Sequence, residues 1–292
     1  MSLGNSSRRG ILTGGTWCAD HNKLVSHWPS EEAVVEILNN DVRGGGSACN
    51  LAVDMKRLDP DLSVSTIGVI GDDEDGQILL AEADAAGIER SGIVVAQNGR
   101  TAHTDAFTSQ KSGQRTHLYI PGTAAELTPD HFNFSDATAR IFHLGLPGVH
   151  PRMDSAWGED PNGWVTVLRD AKRAGIATNL ELCSIAADRI AELVRPCLAH
   201  LDLLVVNDFE IAAIAGSASD GMTNRDPQHC VDAARAVLEA GSMQLVVAHF
   251  PSGAVAFSKD GGEFSIPSVS VPADAIQGAN GAGDAFAAGL LY

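Results

Sequence analysis

Short runs of β-branched and apolar residues alternate along this chain with stretches whose apolar positions recur every three or four residues. The runs fall at residues 11–13, 64–69, 140–144, 176–180, 203–206 and 245–248. Their nearly continuous hydrophobicity suits strands covered on both faces, as in a parallel sheet. Between them, Ala48, Leu51, Ala52, Met55 and Leu58 keep helical spacing, as do Ile78, Leu79, Ala83 and Ala86, and then Ile190, Leu193, Val194 and Cys197. The alternation predicts βαβ units, and hence an α/β fold with a doubly wound, mostly parallel sheet flanked by helices.

Two stretches break the rhythm, residues 23–40 and 91–120. In the second, segments 104–109 and 116–120 flank a turn-like Lys111-Ser112-Gly113. They read as antiparallel strands standing apart from the main sheet. Inserted into one α/β domain over residues 1–292, they would form a small β-sheet lid over the cleft at the carboxyl ends of the large sheet's strands.

Charge narrows the partners. With 37 acidic and 20 basic side chains the net charge is −17, which disfavours nucleic acid or an anionic membrane surface as partner. No apolar run approaches the roughly 18 residues that a spanning helix needs. The first nine residues read as a loose leader. The five cysteines are scattered, without CxxC or Cys/His metal spacing, so a reducing, cytoplasmic setting without structural zinc is expected.

Four features carry candidate chemistry. Near the end, Gly278-Ala279-Asn280-Gly281-Ala282-Gly283-Asp284 runs into an apolar helical pattern. A helix start behind small residues offers unpaired N–H groups to an anion. A carboxylate beside it makes sense if Asp284 takes a proton from a hydroxyl while the N–H groups steady a phosphoryl group in transfer; the plainer reading is an Asp that favours a helix first turn. Second, Gly44-Gly45-Gly46 precedes a helix carrying Asn50, whose amide both donates and accepts and suits a sugar hydroxyl, or simply ends a turn. Third, Asp20 follows the first strand, where it can accept from two adjacent hydroxyls or sit in a surface turn. Fourth, Asn207-Asp208-Phe209-Glu210 follows an apolar run. Glu210 there could hold Mg²⁺ through water, and helix capping by Asn207 or Asp208 competes with that role.

Taken in order, Gly45-Gly46-x-x-x-Asn50, Asn207-x-x-Glu210 and Gly281-Ala282-Gly283-Asp284 resemble the ribokinase-like (PfkB) carbohydrate kinase family over nearly the whole chain. Ala19-Asp20-His21, Gly71-Asp72-Asp73-x-x-Gly76, Arg115-Thr116 and residues 122–127 resemble further segments of it. The resemblance implies an ATP-dependent, Mg²⁺-requiring phosphotransferase acting on the hydroxymethyl group of a sugar or sugar derivative, and a homodimer formed through the lid. It implies Asp284 as the base, the N–H groups of Gly281, Ala282 and Gly283 as the anion hole, Asp20, Gly45, Gly46 and Asn50 as sugar-binding residues, and Asn207 and Glu210 around magnesium and phosphates. A nucleoside kinase of the same fold, or a sugar-binding protein with a kinase fold and little turnover, remains as an alternative.

Three departures from the family pattern shape expectations. Gly278-Ala279 replaces an Asp-Thr whose carboxylate is associated with a monovalent-cation site, so K⁺ dependence should be weak. Ala248-His249-Phe250 stands where many members have a Thr-Leu-Gly turn near the phosphates. The family pattern also continues beyond the helix that follows Asp284 into segments enclosing adenine, whereas this sequence ends at Tyr292.

Overall fold

A computed structural model describes residues 8–218, 227–272 and 281–292. The large sheet holds nine strands, here given in chain order: β1 (Ile11–Gly15), β4 (Val64–Gly71), β5 (Glu89–Ala96), β8 (Ile141–Gly145), β9 (Ala177–Leu180), β10 (Leu203–Asn207), β11 (Leu245–Phe250), β12 (Gly253–Ser258) and β13 (Glu263–Pro267). Their spatial order is β13-β12-β11-β10-β9-β8-β1-β4-β5. From β5 to β11 every neighbouring pair is parallel, and only β12 and β13 run antiparallel at one edge. Six of these strands coincide with the apolar runs within a few residues.

Three strands are missing from the sequence pattern: β5 and β13 at the two edges, and β12, which is largely buried but short and built partly of small residues (Gly253-Ala254-Val255-Ala256). β5 and β13 have no fully buried residue, so neither shows the continuous apolar run of an inner strand. β1, by contrast, is buried throughout, and β8 and β9 are too.

The helices α1 (Ser47–Leu58), α2 (Glu74–Ala86), α3 (Gly163–Arg173), α4 (Ala187–Val194), α5 (Asp208–Ala215), α6 (Pro227–Ala240) and α7 (Ala282–Leu291) cover the two faces of this sheet. Two apolar clusters fill the resulting layers. One is centred on Phe142, Trp164, Leu168 and Leu204, the other on Leu51, Met55, Ile70 and Leu79. Asp73 begins α2 by accepting hydrogen bonds from the N–H of Gly76 at 2.9 Å and of Thr101 at 2.8 Å, so the Gly71–Gly76 segment serves as a helix cap.

The small sheet has four strands, β2 (Cys18–Val25), β3 (Ile37–Gly45), β6 (His103–Ser109) and β7 (Arg115–Ile120), in the order β3-β2-β6-β7. It therefore takes only residues 23–25 and 37–40 from the stretch 23–40 and adds 18–22 and 41–45, while residues 91–96 lie in the large sheet as part of β5. The pairing also differs from the antiparallel expectation at the centre, where β2 and β6 run parallel. These strands come from distant parts of the chain rather than from one hairpin, and only hairpin connection obliges neighbours to be antiparallel.

Candidate active site

The parallel strands end at a cleft of about 750 Å³, with the small sheet forming one wall. That size lies within the range of about 300–1,000 Å³ usual for small-molecule sites. Of the sequence-predicted residues, Asp20, Gly46, Asn50, Asn207, Glu210, Gly281, Gly283 and Asp284 all line it. Gly45 and Ala282 adjoin the cleft through the chain rather than lining it. Residues 278–280, which include the Gly278-Ala279 departure, lie outside the described residues.

Two helices begin at the cleft behind a glycine in the left-handed region. Gly46 (φ 85°) precedes α1 and Gly281 (φ 72°) precedes α7. Neither helix start carries a side-chain cap, so the first-turn N–H groups of α7 remain free to meet an anion. The two helices pack together, and Asn50 Nδ2 donates to Asp284 Oδ2 at 3.1 Å across their junction. This bond fixes the carboxylate that the sequence singled out.

Burial raises the pKa of Asp284 to about 8, and the neighbouring Glu181 carboxyl pushes it the same way. Glu181, just beyond β9, is itself raised to about 7, chiefly by burial. The two carboxyls lie close together in a buried space, and such a pair favours keeping one proton between them. Behind them, His143 on β8 places Nε2 at 2.5 Å from Glu181 Oε2, and its Nδ1 is 2.9 Å from Asn179 Nδ2. Complete burial lowers the pKa of His143 to about 4, which outweighs the upward pull of Asp284. The ring is thus neutral. The pairing that satisfies both ring nitrogens has Asn179 donating to Nδ1 and Nε2–H donating to Glu181.

The sequence reading missed Glu181, His143 and Asn179. Each sits at or near the carboxyl end of an inner strand, which is the only signal that could have found them. It also missed His117 and Tyr119 of β7 and Thr104 of β6, which reach the cleft from the small sheet; His249, part of the Ala248-His249-Phe250 departure, lines the cleft at the end of β11.

Asp20 lies on β2 facing the cleft. Burial raises its pKa, opposed by a hydrogen bond from the Cys18 thiol and by the charges of His117 and Arg115. A Cβ on Gly45 would sit 2.5 Å from the Asp20 carboxyl, so only glycine at this point of β3 leaves room for that side chain. Asn207 and Glu210 form a reciprocal capping box on α5: Asn207 Oδ1 accepts from the Glu210 N–H at 2.9 Å and Glu210 Oε2 from the Asn207 N–H at 3.0 Å. The capping reading is therefore correct locally. It coexists with a place in the cleft, since Glu210 is 6% exposed and burial raises its pKa to about 7. Cys49, in the glycine-rich loop, is buried, and burial raises its thiol pKa far above that of a reactive cysteine.

Asp20, Glu181, Glu210 and Asp284 put four carboxyls around the cleft, and its described lining contains neither Lys nor Arg. Such an excess fits a divalent cation, with Glu210 and Asn207 nearest the strand-to-helix turn that would hold it, directly or through water.

A helix start with free N–H groups, a buried carboxyl beside it and an acidic cleft wall fit a phosphotransferase of the ribokinase fold. A family model for "pfkB family carbohydrate kinase" matches residues 15–292, and the chain belongs to that family. An ATP-dependent ribose-1-phosphate kinase from Halopiger xanaduensis is 25% identical over 281 residues, covering 96% of this chain and 83% of that protein. An uncharacterized sugar kinase of Escherichia coli is 30% identical over 251 residues, covering 85% of this chain and 62% of that protein. Among solved structures, a ribokinase from Giardia lamblia superposes with a TM-score of 0.76 at 18% identity, over 96% of this chain and 82% of that one. The protein is a sugar kinase of this family, and no helix among its described residues is long and apolar enough to cross a membrane.

Proposed function

We propose that the protein transfers the γ-phosphate of ATP to a hydroxymethyl group of an uncharged sugar, with Asp284 as general base. The observation that carries this reading is the buried Asp284 at the first turn of α7, held by Asn50 and raised in pKa by burial and the neighbouring Glu181 carboxyl. As the substrate oxygen bonds to phosphorus and the bond to the leaving phosphate breaks, the hydroxyl proton passes to Asp284. The N–H groups of Gly281, Ala282 and Gly283 face the charge on the transferring group. Asp20, with Gly45 and Gly46 leaving it space, and Asn50 orient the remaining hydroxyls. Bound near Asn207 and Glu210, Mg²⁺ would neutralise phosphate charge and favour the ionised form of Asp284.

The carboxyl-rich cleft supports an uncharged acceptor over one that already carries a phosphate, because no Lys or Arg among the described lining residues would offset a second anion. This separates the reading from the ribose-1-phosphate activity named for the Halopiger relative. ADP release should be measured with pentoses, fructose, nucleosides and ribose 1-phosphate. Turnover is expected with a free sugar. Preference for the sugar phosphate would overturn the uncharged acceptor, preference for a nucleoside would favour a nucleoside kinase, and sugar binding without ATP-dependent turnover would leave a binding protein.

The edge strands of the small sheet expose Ile37, Leu38, Leu118 and Ile120, which supports a homodimer formed through that sheet. Sedimentation velocity of the wild type and of Leu118→Asp tests it. A wild-type monomer would rule it out.

A further inference from the structure

Away from the cleft, one group of side chains has the composition of a metal centre. His21 lies on β2, His103 opens β6, and Asp75 is the second residue of α2. In the parallel pairing of β2 with β6, Ala19 stands opposite His103, Asp20 opposite Thr104 and His21 opposite Asp105. Side chains alternate between the faces of a sheet, so Asp20 and Thr104 look into the cleft while His21 and His103 look the other way. There they meet the start of α2.

Asp75 divides its carboxylate between the two rings. Its Oδ1 is 2.9 Å from His21 Nε2, and its Oδ2 is 3.8 Å from His103 Nδ1. One donor atom from each of the three residues falls within 4.8 Å of the others. An ordinary His–Asp hydrogen bond accounts for His21 but not for His103. The His103 side chain is only 8% exposed, and its Nδ1 has no hydrogen-bond partner. Buried polar atoms are rarely left so, and this one is aimed at the shared carboxylate. The other nearby acid, Asp105, is occupied by an ion pair with Lys23.

We propose that His21, Asp75 and His103 bind a divalent transition metal of the zinc type. Two imidazoles and a carboxylate match its ligand preference, and a water completes a four-coordinate site. Zinc bonds of about 2.0–2.2 Å require the donors to draw together around the ion. The ligands come from two strands of the small sheet and one helix of the main body, so the ion would tie these parts together beside Asp20. This differs from the expectation of no structural zinc, which rested on cysteine spacing. Donors this far apart in sequence leave no spacing to read.

The test uses the untagged full chain stripped with a chelator, in the absence of nucleotide and sugar. Titration with Zn²⁺ by calorimetry should show one ion per chain, and Co²⁺ should give visible absorption bands of a low-symmetry site. His103→Gln, His21→Gln and Asp75→Asn should each weaken binding by more than about 100-fold, beyond the about 10–100-fold typical of outer-shell changes. His27→Gln, at an exposed position of the same region, should leave it unchanged. Far-UV circular dichroism establishes that each variant is folded, and the partly exposed Asp75 and His21 serve if His103→Gln is not. Zn²⁺ should also slow amide exchange in β2 and β6 of the wild type. Absence of stoichiometric binding, or binding that survives the His21 and Asp75 substitutions, overturns the proposal. None of these readouts depends on turnover, so the kinase reading stands or falls separately.

Discussion

Among the described residues, two groups of acids and histidines stand one on each side of β2 and β6, and they are tuned in opposite ways. In the cleft, Asp284 and Glu181 face each other with one neutral histidine behind them. Beside α2, one aspartate faces two histidines. Where carboxyls outnumber nitrogen donors in a buried space, repulsion and desolvation make the group retain a proton. Where nitrogen donors outnumber the carboxyl, the same residue types leave an orphaned nitrogen suited to a cation. The ratio of acids to imidazoles, more than the identity of the residues, separates proton chemistry from metal binding.

The largest expected effect comes from breaking the acid pair at its centre. Asp284→Asn keeps the hydrogen bond with Asn50 in reach but cannot accept a proton, and it should lower kcat by about 10²–10⁴-fold with little change in sugar affinity. A variant turning over at the parent rate would leave Asp284 as a helix-terminal residue only. Next is Gly45→Ala. The added Cβ would collide with the Asp20 carboxyl, and displacing that group should lower kcat/KM about 10²-fold while the fold persists. An unchanged KM and kcat would remove Asp20 from the sugar wall.

Glu181→Gln sharpens the comparison by changing the acid count without removing the base. The pKa of Asp284 should fall, so the acid limb of kcat/KM should move to lower pH. Stability should respond too. A carboxyl with a raised folded-state pKa binds more protons folded than unfolded, so its contribution falls as pH rises from the ordinary carboxylate range near 4 through about 7–8. The wild type without ligand should therefore lose Tm between pH 5 and about 8, and Glu181→Gln should lose less. Parallel Tm curves for the two proteins would argue against a shared proton. The smallest effect is expected from Cys49→Ala, where the thiol only packs. Stability should drop by about 1 kcal/mol and most activity should remain. A thousandfold loss of activity in a folded variant would contradict that role.

Much of this was legible in the sequence because inner strands and glycine-led helix starts write local patterns. The runs that became β1, β4, β8, β9, β10 and β11 are apolar because both sheet faces are covered, and Gly45-Gly46, Asn50 and Gly281 to Asp284 mark helix starts that open onto the cleft. β5 and β13 were not legible, since strands with no fully buried residue carry no strong hydrophobic signal. Nor was the parallel pairing of β2 with β6, which depends on chain segments about eighty residues apart meeting side by side.

The sequence by itself determined the class of fold, the order of the motifs and the carboxylate that stands at the start of the last helix, because each depends on residues close together along the chain. Only the tertiary structure decided what surrounds that carboxylate. Glu181 reaches Asp284 from the end of β9, His143 on the neighbouring β8 holds Glu181, Asn179 of β9 holds His143 in turn, and His21, Asp75 and His103 gather from three elements. A pKa raised by burial and a ligand set assembled across a sheet are properties of distance and desolvation, and neither exists until the chain has folded.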